Sequence, residues 1–232
     1  MNSDTSLNRL EAKREWVRKE QDEISSLIET LKDLPAAVLG DVMNRMGLLA
    51  SAIHPVWSGA HVVGRALTVW TRAGDNRAIH DALQAVQPHD VIVVDGQGDE
   101  SRALIGELMG LRARVAGATG YIIDGAVRDV DGLATMNMPV FARAITPAGP
   151  FKTGPGGFGC PISVGGVVVS PGDYVVGDSD GVAVIPAAAV ARVIEDARAK
   201  VEREARTFEL LTEQLKSQLQ TTAESRTSWP TP

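Results

Sequence analysis

Hydrophobic residues recur at helical spacing near both ends of the chain. Between residues 7 and 33 the apolar positions follow a period close to 3.6 among many charges, which predicts an amphipathic helix that Pro35 ends. A second, short helix is predicted over residues 36–46, because Gly47 can close it. Residues 187–219 form one long amphipathic pattern. A helix of about 33 residues is longer than a domain of this size is wide, so we expect its far end at a subunit interface.

The middle of the chain alternates short apolar runs with turns that contain glycine. Alternation of predicted strands and helices is typical of an α/β fold. The predicted strands are 62–70, 91–94, 120–123, 140–142, 167–169, 174–176 and 181–185. The predicted helices between them are 76–86, 103–115 and 130–136. Glycine and proline residues from 147 to 159 predict an irregular connection, and Gly64 is a candidate bulge.

Composition restricts the classes of protein to which the chain can belong. Its 232 residues suffice for one domain with its own core, and 44% hydrophobic and 22% charged residues are ordinary for a globular protein. A net charge of -6 argues against binding of nucleic acid, which needs a face rich in Lys and Arg. Cys160 is the only cysteine, which excludes an internal disulfide and a cysteine metal cluster. With neither a secretory signal nor a membrane span in the sequence, we expect a cytoplasmic protein with no membrane partner.

Two of the predicted strands lead directly into charged loops. The strand at 91–94 is followed by Asp95, and the strand at 120–123 is followed by Asp124-Gly-Ala-Val-Arg-Asp129. Ligands in α/β proteins gather beyond the carboxyl ends of such strands. A charge placed there destabilises the fold unless it is paired or binds something. Both loops are therefore candidates for a functional site.

Arg128 and Asp129 are adjacent and can face one pocket. A guanidinium offers a planar fork for a carboxylate or a 2-oxo acid, and a carboxylate is a hard oxygen ligand that suits Mg²⁺ or Mn²⁺. On spacing alone, a structural salt bridge, or Asp129 as the N-cap of the helix at 130–136, is the more common arrangement. Asp124 is expected to be a structural turn residue.

Other motifs are less specific. Gly106-Glu-Leu-Met109 lies near a predicted helix start, where free amides bind anions, although a solvated Glu107 on a surface helix is the more common case. Residues 96–101 do not match a dinucleotide-binding loop. The four histidines form no HxH or HExxH motif, and a lone histidine such as His80 is more often structural than catalytic.

The segment Asp124-Gly-Ala-Val-Arg-Asp129 and its surroundings resemble a known family. The segments that agree in order with this family are Leu39–Gly47, Gly59–Thr68, Asp75–His80, Gln87–Gly96, Pro139–Arg143 and Gly172–Pro186. Together they resemble the 4-hydroxy-4-methyl-2-oxoglutarate aldolase family, which also contains the regulators of RNase E activity. The resemblance covers roughly residues 35–210.

The resemblance implies a role for each residue of the predicted site. Arg128 would contact the carbonyl oxygen of the substrate, and Asp129 would hold the metal. Glu107, which lies 21 positions before Arg128, takes the place of an aspartate that contacts metal-bound water, and its side chain is longer. The backbone N–H groups of Leu108 and Met109 would bind the pyruvyl carboxylate. The substrate-binding residues implied in this way are Gly106, Glu107, Leu108, Met109 and Arg128.

The resemblance also implies a fold and an assembly. The fold of the family is an α-β-β-α sandwich resembling the phosphohistidine swivelling domain, here with extra N- and C-terminal helices. Members form homotrimers, often paired into homohexamers, and a glutamate from the C-terminal helix of a neighbouring subunit completes the site. Glu204 matches that glutamate, with Glu202 as a nearby alternative. We accordingly divide the chain into an N-terminal helical extension at 1–34, an aldolase-like domain at 35–210, and a helix end with a disordered tail at 211–232.

These roles predict a divalent-metal-dependent lyase that acts on a small 2-oxo acid. It would cleave 4-hydroxy-2-oxo acids to pyruvate and also decarboxylate oxaloacetate, because both reactions pass through the same metal-stabilised pyruvate enolate. Lys152 is the only lysine between residues 34 and 199, and we expect no lysine in a position to form a Schiff base. The alternative is a noncatalytic protein-binding regulator of the RNase E inhibitor type, against which the presence of Glu107 and Glu204 argues. The candidates for binding the distal half of the substrate are Arg45, Arg72, Arg77, Arg102 and Arg143.

Overall fold

A computed structural model describes residues 21–227, and their side chains as far as residue 219. Residues 7–20 of the predicted first helix and residues 228–232 of the predicted tail lie outside the described residues. Helix α1 covers residues 21–31 of the described chain. The remaining helices are α2 (Ala36–Val42), α3 (Arg77–Ala82), α4 (Glu107–Ala116), α5 (Val130–Thr135) and α6 (Val190–Thr227), the last preceded by a short 3-10 turn at Ala187–Ala189.

Most of the strands form one mixed sheet. The ten strands found within residues 21–227 are β1 (His54–Pro55), β2 (Val62–Thr71), β3 (Asp90–Ile105), β4 (Gly120–Val127), β5 (Val140–Ile145), β6 (Gly156–Phe158), β7 (Ile162–Val164), β8 (Val167–Val169), β9 (Tyr174–Asp178) and β10 (Gly181–Ile185). The main sheet has the order β1-β5-β4-β3-β2-β9-β10, and β6 also pairs with β2. Strands β2 to β5 are parallel, while β9, β10, β1 and β6 join antiparallel. The predicted mixed α/β fold is therefore confirmed, whereas the likeness to the phosphohistidine swivelling domain stays a prediction.

The core occupies both faces of this sheet, because successive residues of a strand point to opposite faces. Ile92 and Tyr121 point to the face that helices α3, α4 and α5 cover. Val93 and Ile122 point to the opposite face, where they meet the separate hairpin of β7 and β8. Helices α1, α2 and α6 bury a third apolar cluster against β2, β9 and β10. The crossover helices therefore place the starts of α4 and α5 side by side at one end of the parallel strands.

The structure corrects the predicted boundaries around the site. Strand β3 does not end at residue 94 but continues to Ile105, so residues 95–98 are not a loop and helix α4 begins at Glu107 rather than at 103. Strand β4 likewise continues to Val127, with all its residues buried. The physical reason is that β3 and β4 keep pairing past irregular register shifts, with Ile105 opposite Val127 at the end. A reading based on apolar runs does not detect strands that continue through charged residues.

Smaller corrections concern glycine and the chain end. Gly64 pairs in regular register with Val175 and is not a bulge; a Cβ on it would lie 2.3 Å from the backbone oxygen of His89, so it is a point of close backbone approach. Helix α6 continues past residue 219 to Thr227 and includes part of the segment predicted to be disordered.

None of the helices in residues 21–227 combines the length and the apolar character that crossing a membrane requires.

Candidate functional site

The ends of the neighbouring strands β3 and β4 bring the two halves of the predicted site together. Because these strands are parallel and adjacent, the start of α4 after β3 lies beside the residues that follow β4. The backbone N–H of Arg128 donates to the carbonyl oxygen of Ile105 at 3.0 Å. This contact joins the segments Gly106–Met109 and Arg128–Asp129, which are separated by about twenty residues in the sequence.

Asp129 occupies the N-cap position of α5 without capping that helix. Its backbone is in the left-handed region, with φ of 55°, which is uncommon for a residue other than glycine. Its side chain makes no hydrogen bond to α5, and instead Oδ2 accepts the backbone N–H of Glu107 at 3.2 Å. The cap of α5 expected from spacing alone is therefore wrong, and the carboxylate is turned towards the start of α4. Strained backbone of this kind is concentrated at functional sites.

Arg128 and Asp129 also form an ion pair, but an exposed one. The Nε atom of Arg128 lies 3.5 Å from Oδ2 of Asp129, and the two side chains are 43% and 44% exposed. An exposed pair of this length contributes little to stability, typically below about 1 kcal/mol. Both groups are accessible to a ligand.

Gly106 allows the carboxylate of Asp129 to approach α4. A Cβ at position 106 would lie 2.3 Å from Oδ2 of Asp129 and 3.0 Å from Cγ of Arg128. The glycine backbone is extended, with φ of -150°, so the close approach and not the conformation requires the absence of a side chain. Gly106 thus controls how Asp129 is placed.

The start of α4 supplies free backbone N–H groups beside Asp129. Leu108 and Met109 lie in the first turn, where the helix itself provides no acceptor for the N–H groups. Leu108 is exposed and Met109 is buried. The carboxylate of Glu107 is exposed and extends over Gly132 of α5, whose Cβ, if present, would lie 2.7 Å from Oε2. The predicted residues Gly106 to Met109 therefore share one region with Arg128 and Asp129.

A cleft of about 150 Å³ opens at this place, and it has further polar residues in its walls. Arg128, Asp129 and the start of α4 form one side of it. Its other polar residues are Asn76, His80, Arg112 and Lys152. The sequence does not indicate that these four residues lie together, because they come from the start of α3 and from α3 itself, from α4, and from the irregular connection before β6.

Asn76 is buried in the wall of the cleft with one atom unsatisfied. The residue is 3% exposed, and its Nδ2 donates to the carbonyl oxygen of Leu104 at 3.0 Å. Its Oδ1 finds no hydrogen-bond donor among the described residues. A buried acceptor without a donor costs free energy, which a ligand or a water in the cleft would recover. From the sequence, Asn76 was only the predicted start of a helix, and its side chain does not cap α3.

Asp75 holds two walls of the cleft together. Its buried carboxylate accepts backbone N–H groups from Arg77 at 2.9 Å, Thr153 at 3.0 Å and Gly154 at 2.6 Å. Burial by itself would raise the pKa of Asp75, but these hydrogen bonds and the Arg72 guanidinium lower the pKa below its usual value. The carboxylate therefore fixes the segment carrying Lys152 against the start of α3.

The surroundings of His80 disfavour its charged form. Partial burial, followed by the charges of Arg112 and Lys152, lowers the pKa of His80 below its ordinary value. The Arg112 guanidinium donates to Nδ1 of His80 at 3.4 Å. Lys152 corrects one sequence expectation: a lysine does line the cleft, although it is exposed.

Asp124, at the other end of the same sequence segment, is not in the cleft. It is a strand residue and not a turn residue, and it is buried. Its carboxylate binds Nε of Arg143 and accepts the backbone N–H of Gly165 at 2.6 Å. Asp124 therefore fastens β4 to β5 and to the hairpin turn.

Glu204 is the predicted site residue that the chain does not bring to the cleft. It lies on α6, where it pairs with Lys200 at 2.6 Å, and Lys200 in turn contacts Asp41 of α2. The alternative, Glu202, lies 3.9 Å from Arg206 on the same helix. A contribution of either glutamate to the cleft needs a second copy of the chain and stays a prediction.

Comparison with known proteins identifies the family of the chain. A family model described as RraA-like, Aldolase/RraA, matches residues 28–184. The chain is 39% identical over 173 residues to a protein of Halalkalibacterium halodurans named "Putative 4-hydroxy-4-methyl-2-oxoglutarate aldolase", a match that covers 75% of this chain and 82% of that protein.

Solved structures agree with this match. The RNA-processing inhibitor RraA from Thermus thermophilis is 30% identical, with a TM-score of 0.61, and the match covers 66% of this chain and 93% of that one. Streptomyces coelicolor RraAS2, a member of the RNase ES inhibitor RraA protein family, is 24% identical and shares the fold, with a TM-score of 0.73 over 79% of this chain and 97% of that one. From the family model and the relative at 39% identity, the chain belongs to the RraA-like family.

Proposed function

We propose that this protein is a divalent-metal-dependent lyase that releases pyruvate from 4-hydroxy-2-oxo acids. The observation that carries the proposal is the orientation of Asp129. Its carboxylate leaves the helix that it begins and lies beside Arg128 and the free N–H groups of α4, in an accessible cleft. A purely structural Asp at this position would cap α5.

The residues around the cleft can bind a 2-oxo acid in one orientation. The N–H groups of Leu108 and Met109 suit the carboxylate, because a helix start binds anions. The guanidinium of Arg128 would then bind the neighbouring 2-oxo oxygen. When the C3–C4 bond breaks, negative charge develops on that oxygen, and a guanidinium placed there stabilises the charge.

The carboxylates present fit a hard divalent cation. Asp129 would hold Mg²⁺ or Mn²⁺, and Glu107 would contact it through water. Mg²⁺ usually keeps several waters and is bound through one or two carboxylates, so this pair would suffice. When bound, such an ion would add positive charge beside the 2-oxo oxygen.

The chain also offers groups for the proton transfers. Glu107 has an exposed carboxylate, which would accept the proton of the 4-hydroxyl through a water. As that proton leaves, the C3–C4 electron pair moves into the pyruvyl half and the carbonyl product departs. The protonated Glu107 would then return the proton through the water to C3, which gives pyruvate and restores the carboxylate. Asn76 Oδ1, which has no donor among the described side chains and amides, can accept a hydrogen bond from the substrate or from that water.

Lys152 raises the question of a Schiff-base mechanism, because it lines the cleft. A lysine that forms an imine must be neutral, and desolvation or neighbouring cations usually make it so. Lys152 is exposed and not desolvated. We therefore expect no covalent adduct when pyruvate and borohydride are added, whereas a stable adduct on Lys152 would replace the metal mechanism.

The decisive experiment is a pyruvate-release assay with 4-hydroxy-4-methyl-2-oxoglutarate and oxaloacetate. We expect turnover that EDTA abolishes and that Mg²⁺ or Mn²⁺ restores. Turnover that resists EDTA would reject the metal mechanism. Absence of pyruvate from both substrates would favour a noncatalytic regulator, as the inhibitor function named for the Thermus structure suggests.

A further inference from the structure

Helices α4 and α5 each begin with an acidic side chain that lies over a glycine of the other segment. Asp129, at the start of α5, lies over Gly106 in front of α4, where a Cβ would be 2.3 Å from Oδ2 of Asp129. Glu107, at the start of α4, lies in turn over Gly132 of α5. The two carboxylates are therefore each placed against a position that has no side chain.

The backbone of α5 has an ordinary helical conformation at Gly132. The residue lies inside the helix Val130–Thr135, and it is not one of the glycines with a positive φ. Its carbonyl oxygen accepts the N–H of Met136 at 3.1 Å, as in a regular helical turn. Glycine is a poor helix former, so alanine would stabilise α5 if there were room for its methyl group.

The room beside Gly132 is occupied by the side chain of Glu107. The three heavy atoms nearest to a Cβ at position 132 would be Cδ, Oε2 and Cγ of Glu107, at 2.6, 2.7 and 2.9 Å. All three distances are too short for a real Cβ, so an alanine at position 132 and the present conformation of Glu107 exclude each other. Two of these atoms, Cδ and Oε2, exist in glutamate but not in aspartate, so the glycine is matched to the longer acid. Glu107 is exposed, and its carboxylate can move into solvent while both helices stay in place.

Packing on Gly132 holds the side chain of Glu107 in this position. Within the described part of the chain, the carboxylate of Glu107 has no ion-pair partner. The hydrogen bond that joins Glu107 to Asp129 is made by its backbone N–H, at 3.2 Å, and not by its side chain. Shape rather than a charged partner sets the conformation, so one added methyl group at position 132 should be enough to change it.

We infer that Gly132 is a positioning residue, which admits a glutamate at position 107 and keeps its carboxylate on α5, three residues after Asp129. The inference rests on the proposed function, in which Asp129 would hold the divalent ion and Glu107 would contact that ion through water. Loss of a contact of this kind typically lowers metal affinity or activity by about 10- to 100-fold. Gly132→Ala would move the carboxylate without removing a charge.

The affinity for Mn²⁺ tests the inference without any turnover. We expect Gly132→Ala to bind Mn²⁺ about tenfold more weakly than the wild-type protein, measured by electron paramagnetic resonance of the free ion. In pyruvate release at saturating metal, kcat should fall by a similar factor and KM should change less, because Arg128 and the amides of α4 stay in place. Gly157→Ala is the matched control and should keep the wild-type values, since a Cβ there meets nothing within 4 Å.

A Glu107→Ala background shows whether the effect of Gly132→Ala acts through Glu107. In that background, Gly132→Ala should leave the Mn²⁺ affinity unchanged and raise the melting temperature, because alanine is the better helix former once the contact is gone. If Gly132→Ala alone does not fold, the double variant should fold. Wild-type Mn²⁺ affinity and turnover in Gly132→Ala, an effect of equal size in both backgrounds, or a double variant that also fails to fold would overturn the inference.

The same measurements separate this inference from the proposed function. Weaker Mn²⁺ binding by Gly132→Ala, with no pyruvate release from the wild-type protein, would reject the lyase and leave the role of Gly132 at a metal site standing. Pyruvate release that is equal in Gly132→Ala and the wild-type protein would do the reverse. A wild-type protein that does not bind Mn²⁺ would overturn both.

Discussion

Two aspartates of one short segment, Asp124 and Asp129, each pair with an arginine, but one pair is buried and the other is exposed. Asp124 is buried, binds Arg143 and accepts a further backbone N–H from Gly165. Asp129 is about half exposed, has Arg128 at 3.5 Å, and accepts one N–H from the start of α4. The first pair therefore stabilises the fold, while the second has capacity left for a ligand. Residue type alone does not separate the two roles; burial and the number of satisfied oxygens do.

The difference between the two pairs should be largest in variants that remove one side chain of the exposed pair. Arg128→Ala and Asp129→Ala should each lower pyruvate release by about a thousandfold, because each removes a group that acts where charge develops. The free energy of unfolding should change by less than about 0.5 kcal/mol in Arg128→Ala, since the pair is exposed. It should fall by about 1 kcal/mol in Asp129→Ala, which also loses the hydrogen bond to the N–H of Glu107. Turnover assays with urea denaturation of the same samples measure both quantities. Wild-type turnover in either variant would reject this site.

Removal of the buried pair should have the reverse outcome. Asp124→Ala leaves Arg143 largely buried without its partner, so the free energy of unfolding should fall by about 3 kcal/mol. Pyruvate release per folded molecule should stay within a few-fold of the wild-type value. Urea denaturation gives the first quantity, and the double variant Asp124→Ala with Arg143→Leu should recover part of the loss. A large loss of turnover in a fully folded Asp124→Ala protein would contradict the division of roles.

Gly106→Ala moves Asp129 without changing any charged residue. The added methyl would lie 2.3 Å from Oδ2 of Asp129, and that flexible side chain can move away while the fold is kept. We expect pyruvate release to fall about 10- to 100-fold, the range for a misplaced catalytic group. Gly157→Ala is the control, because a Cβ there meets nothing within 4 Å. Equal activity of the two variants would show that the position of Asp129 is not critical.

The smallest expected effect is on His80. Its pKa is lowered in the folded protein by burial and by Arg112 and Lys152, so NMR titration should find it below 6.5. The folded protein then binds fewer protons than the unfolded chain, so the contribution of His80 to stability is present above pH 6.5 and is lost as the pH falls towards its folded pKa. In Arg112→Gln the pKa should rise. A pKa of His80 that does not change in this variant would show that the charge of Arg112 does not act on the histidine.

Much of the fold was predictable from local pattern. Strands such as 62–70 and 181–185 were found because buried strands leave apolar runs. The extension of β3 through residues 95–105 could not be predicted, because this stretch has no hydrophobic pattern of its own. It is held in the sheet by pairing with β4 at Asp95, Asp99, Ala103 and Ile105, with register shifts between them. Prediction from hydrophobicity fails where tertiary pairing overrides local preference.

The sequence by itself determined the alternation of strands and helices. Its order of segments indicated Arg128, Asp129 and the predicted helix start at Glu107 as a candidate site. Only the tertiary structure decided that the carboxylate of Asp129 turns away from α5 and that Asp124 lies in a buried ion pair. It also decided that His80, Arg112 and Lys152, from α3, α4 and a distant connection, line one cleft. The physical reason is that the placement of a side chain depends on what neighbouring strands bring beside it, and parallel strands bring together residues that are far apart in the chain.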